Sequence, residues 1–428
     1  MDPALIARLA ADLTAADFTV DGLTELWGED AAAALHRGQR VPALRAGARR
    51  IASQSRDASA DEAVLRRFLL AKALVLGYPV DPAALDRALP TLTAAGAVTL
   101  GLVDAAGSPL LDLRPYSVVD ARGVAAWWIA SDLGELALGH AIPEHHVLGV
   151  GGASTTLSGL MLAEPVELAL DLGTGCGVQS LHLAGHSDQV VATDVNERAL
   201  RLARFNADLN EVDIEVRNGS YFEPVVSESF DLIVTNPPFV ISPGTAERLV
   251  YRDSGLPGDR VVEHIVSNSV RHLNPGGVAQ VLANWMIFDD QPWDERLAGW
   301  ISGADAFVVQ REIVDLPTYV ELWLKDAGLH GAPDYHQRYD TWLSWFEEQG
   351  AQAVGFGWIN LRRTDAAPVL RFDDWPYEVE QPIGAEIAAR SPSRTNDQSV
   401  TAAVSSSRRS PNSSALRIFD ITSAAAIR

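Results

Sequence analysis

The chain has 428 residues, 47% hydrophobic and 21% charged, the profile of a globular protein with two or three domains rather than a disordered or fibrous one. Its net charge of −22 makes it a poor general binder of nucleic acid, because such binding relies on Lys and Arg neutralising phosphates; the balance tilts toward a protein or small-molecule substrate. A single cysteine, Cys176, excludes an internal disulfide and a cysteine-rich zinc site, and no metal is expected. The N-terminus lacks the features of a signal peptide, and no stretch reaches the roughly 20 apolar residues of a membrane span, so a cytoplasmic protein without membrane contact is expected.

In chain order, residues 5–50 are Ala-, Leu- and Arg-rich with helical spacing, and 63–70 and 82–89 read as two short helices. Alternating apolar runs at 98–103 and 110–113 predict a small sheet. Helices followed by a hairpin is the order of a winged-helix module, so residues 1–146 are expected to form a mainly helical N-terminal recognition domain. Short apolar strands are then predicted at 166–171, 189–194, 214–216, 230–236 and 277–282, with helices such as 197–206 and 260–273 between them. Strand alternating with helix implies an α/β fold whose parallel sheet is covered on both faces. Two more strands, 307–314 and 353–362, are expected to finish the sheet as an antiparallel pair. Between them lies an insert, about 315–350, with one helix stopped by Gly350. This second domain is expected to span 147–387. Beyond it, 388–428 turn to Ser, Arg, Thr and Ala and read as a disordered tail.

Asp171-Leu172-Gly173-Thr174-Gly175-Cys176-Gly177 follows a buried strand and precedes a helix. Glycines at such a turn let backbone N–H groups approach a ligand closely. A dinucleotide fingerprint would place a glycine sixth from Gly173, where Val178 stands; here the glycine is fifth, Gly177. Asp171 at the strand end also suits a cofactor with an ammonium group, which a carboxylate can pair directly or through water. Asp194 ends the next strand, where a carboxylate can accept both hydroxyl hydrogens of a ribose. That feature is common to nicotinamide and S-adenosylmethionine sites and points to an adenosine ligand without choosing between them.

Asn236-Pro237-Pro238-Phe239 closes the fourth strand, at the carboxyl edge where ligands of such sheets bind. The two prolines fix their own φ and hold the residues before them extended, so the loop is rigid. An amide or aromatic amine nitrogen is a weak nucleophile because its lone pair is delocalised. The Asn236 side-chain oxygen and the Pro237 carbonyl could grip its two hydrogens and localise the lone pair toward an electrophilic methyl, with Phe239 packed flat on the planar group. Catalysis of that kind is mostly positioning and needs no strong base.

With these motifs in hand, residues 147–285, about a third of the chain, resemble the class I methyltransferases of the release-factor glutamine N5-methyltransferase group. The glycine loop matches that family's cofactor loop, Asn236-Pro237-Pro238-Phe239 its catalytic motif, and the segments at 249–256 and 273–277 its continuation. The resemblance implies a Rossmann-like sheet, S-adenosylmethionine as cofactor, Gly173 and Gly175 along the methionine portion, Asp194 at the ribose, and Asn236 with Pro237 at the substrate amide. Asp171, Thr174, Gly177, Asn196 and Ser220 complete the expected cofactor set. The chain departs from the family at Phe239, where tyrosine is usual and phenylalanine is common in relatives that methylate RNA or DNA amines. It departs again at Ser220, where an acidic adenine contact is usual. The N-terminal region and the insert have no counterpart in the glutamine enzymes.

The leading expectation is therefore N-methylation of a protein glutamine. The alternatives are methylation of an exocyclic amine of RNA or DNA, and a non-catalytic cofactor-binding regulator. Other patterns read as structural. His182 and His186 suit a surface pair at a helix end, and His145 and His146 are loop histidines near the expected cofactor entrance. The Gly/Ser/Thr run at 149–156 is equally a flap or a linker. The stripe of Tyr335, Tyr339, Trp342 and Phe346 reads as core packing, with a lid or substrate platform as the alternative, and the arginines of the tail read as a solvated appendage ahead of a contact to RNA or a ribosome.

Overall fold

The computed structural model describes residues 2–53, 58–120, 123–138, 142–143, 145–244 and 256–392. The segment at 249–256, apart from Leu256, and the tail from 393 onward lie outside the described residues.

The N-terminal unit opens with helices α1 (Pro3–Ala15), α2 (Val20–Trp27), α3 (Glu29–His36), α4 (Arg40–Ala52), α5 (Ala58–Leu70), α6 (Pro82–Ala88) and α7 (Thr93–Thr99). Local chemistry sets several starts: Asp2 accepts the Ala4 N–H ahead of Pro3, and Thr19 accepts the Gly22 N–H. A two-stranded antiparallel hairpin follows, β1 (Leu111–Asp120) and β2 (Gly123–Asp132). It lies further along than the sequence predicts. Residues 98 and 99 belong to α7, and Val103 makes only an isolated bridge to Pro109. The hairpin was hidden by Pro115, which breaks the alternation begun at Leu111-Asp112-Leu113-Arg114, and by β2, whose continuous apolar run from Val124 to Ala130 shows no period of two.

The remaining elements are α8 (Glu135–Leu138), α9 (Gly152–Leu160), β3 (Val166–Leu172), α10 (Val178–Ala184), β4 (Ser187–Asp194), α11 (Glu197–Leu209), β5 (Glu215–Asn218), β6 (Phe230–Thr235) and α12 (Arg260–Ser269), then β7 (Leu273–Phe288), α13 (Trp293–Ala298), β8 (Ala304–Asp315), α14 (Leu316–Asp326), α15 (Tyr335–Glu348), β9 (Ala351–Arg363), β10 (Leu370–Asp374) and α16 (Gly384–Arg390). Eight strands form one sheet in the order β10-β8-β9-β7-β6-β3-β4-β5. All neighbours pair in parallel except β9, which runs antiparallel to β7 and β8. This is the Rossmann-like architecture expected, with the predicted antiparallel pair in place and β10 added as a further edge strand. The insert holds two helices, not one: α14 was not foreseen because Pro317 and a mixed apolar run obscure its period. Alternate residues of β3, β6 and β7 enter two separate cores on the two faces of the sheet, as strand geometry requires. The boundary expected at 388 falls inside α16, whose Ile387 is fully buried against α9.

The N-terminal helices, the hairpin and the outer sides of α10 and α11 share one apolar core. His182, expected at the surface, is buried in that seam, with its Nε2 3.2 Å from the Tyr116 hydroxyl and its ring edge-on to Trp127. Asn206 of α11 and Asn210, which caps its end, close the free edge of β2. Asn210 exchanges hydrogen bonds with the backbone of Trp128 (2.9 and 2.8 Å) and Asn206 with that of Ala130 (2.7 and 2.9 Å). Asn206 also donates to the Cys176 carbonyl at 2.8 Å, so one buried side chain ties the hairpin to the glycine loop. Asn206→Ala strands three buried peptide groups and is expected to cost about 3 kcal/mol, read from the midpoint of urea unfolding. A loss below about 1 kcal/mol would show that the seam does not depend on it.

Candidate active site

The site lies where β3 and β6 end side by side. From β3 the chain progresses outward to β4 and β5, while β6 and β7 lie on its other flank, so the connections diverge and leave a crevice at the carboxyl ends. The glycine loop rises from β3 on one side and the 236–239 loop from β6 on the other. Thr235 links them, its buried hydroxyl donating to the Leu172 carbonyl at 2.7 Å.

Asp171 is buried and turns inward. One carboxylate oxygen accepts the Thr174 and Ser180 hydroxyls, each at 2.6 Å, and those hydroxyls lie 3.0 Å apart. Burial pushes its pKa up to about 6 against the lowering pull of both hydrogen bonds. Asp171 and Thr174 thus close the loop from beneath. Gly173 and Thr174 also donate their N–H groups to the Thr193 carbonyl at 2.9 Å. Gly173 and Gly175 have φ of 78° and 56°, and a Cβ on either would meet open space, so the upper side of the loop is bare peptide. Gly177 differs: a Cβ there would come within 3.0 Å of the Ala203 Cα, so its role is close packing of α10 on α11. Cys176 is buried, and burial raises its thiol to about 11, which keeps it protonated and inert.

Asp194, at the end of β4, accepts the Gly175 N–H at 3.0 Å on one oxygen and the Asn196 N–H at 2.8 Å on the other. Burial raises its pKa as well. A carboxylate has about four lone-pair positions, so two remain for the hydroxyls of a diol. Val195 beside it is 71% exposed, an apolar surface at the rim that sequence patterning does not single out. Asn196 caps α11 through the Arg198 N–H at 2.9 Å, and its amide donates to the His145 carbonyl at 3.1 Å. The exposed His145 therefore stands beside Asp194, whereas the His146 side chain is buried 3.9 Å from Asp132. Asn218 donates to the carbonyls of Asp194 and Val195, which brings the half-buried Ser220 to the same rim. The Gly/Ser/Thr run is helical from Gly152, and Gln179 of α10 fastens it through the Ser154 carbonyl at 2.7 Å.

On the β6 side, Pro237 is buried, Pro238 exposed and Phe239 half-buried where three apolar cores meet. The Phe239 ring lies edge-on to Trp323 of α14 at 6.3 Å. Asn236 Oδ1 is buried and, among the described residues, has no hydrogen-bond partner. Asn284 of β7, fully buried, also has an unpaired Oδ1, while its amide donates to the Tyr319 hydroxyl at 3.1 Å. The sequence signal for Asn284 was a lone amide inside the apolar run Val281-Leu282-Ala283-Asn284-Trp285. These residues fit the expected cofactor: bare peptide at Gly173 and Gly175, a carboxylate with spare lone pairs, and an apolar rim. No metal-binding cluster of His, Cys, Asp or Glu is found among the described residues, nor any helix long and apolar enough to cross a membrane.

Known proteins resemble the two halves separately. Residues 151–291 match the family model described as methyltransferase small domain, and residues 15–114 match one described as a domain of unknown function, DUF7059. A release factor glutamine methyltransferase of Aliivibrio fischeri is 43% identical over 83 residues, 18% of this chain and 29% of that protein. A ribosomal protein uL3 glutamine methyltransferase of Bradyrhizobium diazoefficiens is 30% identical over 154 residues, 33% of this chain and 48% of that one. A ribosomal RNA small subunit methyltransferase C of Salmonella arizonae is 33% identical over 117 residues, 27% of this chain and 30% of that one. The chain thus spans half or less of the length of these relatives. The resemblance read from the sequence stands on these matches: the stretch that carries the Rossmann-like sheet and both loops is similar to methyltransferases over about a third of the chain.

Burial makes Asp171 prefer its neutral form, so its contribution to stability is full below the ordinary carboxyl pKa of 3.8 and is lost as pH rises through about 6. Asp171→Asn keeps an acceptor but removes the titration. Between pH 4 and 7 the wild-type unfolding free energy should fall relative to the variant by about 3 kcal/mol at most. Parallel stability curves from urea titrations at each pH would refute the assignment.

Proposed function

We propose that this protein is an S-adenosylmethionine-dependent N-methyltransferase acting on a planar amide nitrogen, the side chain of a protein glutamine. The unpaired, buried Asn236 Oδ1 carries the reading. An acceptor left without a partner costs about 1–3 kcal/mol, and a substrate N–H arriving there recovers that cost. Held in a rigid loop across a crevice from bare glycine peptide, it is placed for a ligand that donates hydrogen.

The cofactor would supply a methyl group on a positively charged sulfur. Asp194 would hold the ribose hydroxyls, Val195 and Ser220 the base, and Gly173 with Gly175 the amino-acid portion, with Asn196 and Gly177 maintaining the helix start beside them. Asp171 and Thr174 act from below by fixing the loop. Asn236 Oδ1 and the Pro237 carbonyl accept the two hydrogens of the substrate amide and turn its lone pair toward the methyl, while Pro238 stiffens the loop and Phe239 shields the planar group from water. Neither acceptor is a base. The proton becomes acidic only as the new N–C bond forms, and then leaves to solvent.

The curated relatives named as glutamine methyltransferases support a protein substrate, as does the acidic charge of −22. Methyl-labelled S-adenosylmethionine incubated with the protein and a cell extract should leave label that protease removes and nuclease does not. Label removed by nuclease alone would transfer the same chemistry to a base amine of RNA or DNA. Asn236→Ala should lower turnover at least about 100-fold with cofactor affinity unchanged. Asp194→Ala should weaken cofactor binding by about 10- to 100-fold in calorimetry, and unaltered affinity would displace the ribose from this position.

A further inference from the structure

We propose that the α14–α15 insert is a working part of the active site, in which the Tyr319 hydroxyl and the Trp342 indole are positioning groups for the 236–239 loop. The inference rests on that loop being the seat of methyl transfer. Ile241, two residues beyond Phe239, is fully buried and, among the described residues, belongs to no strand. Its N–H donates to the Tyr319 hydroxyl at 2.8 Å, and its carbonyl accepts the Trp342 Nε1–H at 2.9 Å. Both polar groups of one residue are thus satisfied by side chains of the insert, one from α14 and one from α15.

Upstream, the Thr235 hydroxyl on the Leu172 carbonyl anchors the other end of the same segment. Between the two anchors stand Asn236, the two prolines, Phe239 and Val240. Prolines transmit displacement because they have little freedom to absorb it, so a shift at Ile241 moves the amide acceptors. The same Tyr319 hydroxyl accepts from Asn284, and Trp323 of the insert faces Phe239 edge-on. In the stripe of α15, Trp342 and Phe346 are fully buried while Tyr335 and Tyr339 are half-buried against the same core, so Trp342 adds a polar task to core packing. Apolar residues would fill this core equally well. What they would not supply is an acceptor and a donor aimed at a single peptide-bearing residue.

Tyr319→Phe removes the acceptor and keeps the ring, which packs edge-on to Trp342 and Phe346. Trp342→Phe removes the donor. Amide hydrogen exchange of the peptide covering Ile241 should accelerate about 10-fold or more in each variant, while the peptides of β3 and β6 keep wild-type protection. On the acceptor found by labelling, kcat should fall about 10- to 100-fold, with the dissociation constant for S-adenosylmethionine within about twofold of wild type. Unchanged exchange at Ile241 would overturn the proposal. So would unchanged kcat, or a loss of cofactor affinity in parallel with kcat, since that pattern marks general loosening. If the wild-type protein transfers no methyl group to anything, the proposed function fails, and the exchange experiment alone decides whether the insert holds the loop.

Discussion

Parallel strands end with their carbonyls on one edge of the sheet, and each chain must leave that edge by a loop. Where successive connections turn to opposite sides, no loop crosses the gap, and the ends of β3 and β6 are left facing a crevice. Everything in the site follows from filling that gap with rigid, under-satisfied chain. The glycine loop is tightened from below by Asp171, Thr174 and Ser180, so its upper surface can remain bare. The loop after β6 is stiffened by two prolines and tied to β3 through Thr235. Neither loop could hold its shape without the buried polar contacts beneath it, and those contacts cost desolvation, which shows in the raised pKa of Asp171.

Three of the buried polar groups left unpaired lie in the same region. Asn236 Oδ1, Gln179 Oε1 and Asn284 Oδ1 are all buried acceptors with no partner among the described residues. Asn236 leaves β6, Gln179 stands in the first turn of α10 after the glycine loop, and Asn284 stands on β7 beyond the part paired with β6. A fold selected for stability alone would replace or satisfy such groups. Their retention around one crevice is what a site for hydrogen-donating ligands requires, and it has the sign of a stability cost accepted for function.

The central strands and both chemical motifs were legible because strand period, glycine spacing and paired prolines are local signals. Asp194 and Asn236 could be placed at strand ends from sequence alone. The hairpin was displaced by about thirteen residues because Pro115 breaks the alternation of its first strand and the second is a continuous apolar run, both of which a two-stranded ribbon tolerates. His182 looked like a surface residue because its burial comes from Tyr116 and Trp127, more than fifty residues away in the chain. Tyr319 carried no signal, and the aromatic stripe flagged Trp342 only as core, since the polar task of both depends on Ile241 being brought to them by the fold. Long-range burial is the quantity that local patterning cannot carry.

The same consideration bears on the N-terminal unit. Order along the chain suggests a separate module that could deliver a substrate by moving. Its core, however, is continuous with α10 and α11, and Asn206 joins β2 to the carbonyl of Cys176 inside the glycine loop. Displacing the unit would expose His182 and the apolar backs of both helices, and would strip the loop of a hydrogen bond. A rigid-body swing is therefore opposed by the cofactor loop itself. Whatever the N-terminal unit contributes, it contributes as a fixed surface, joined to the glycine loop by Asn206 and to α10 and α11 by one core.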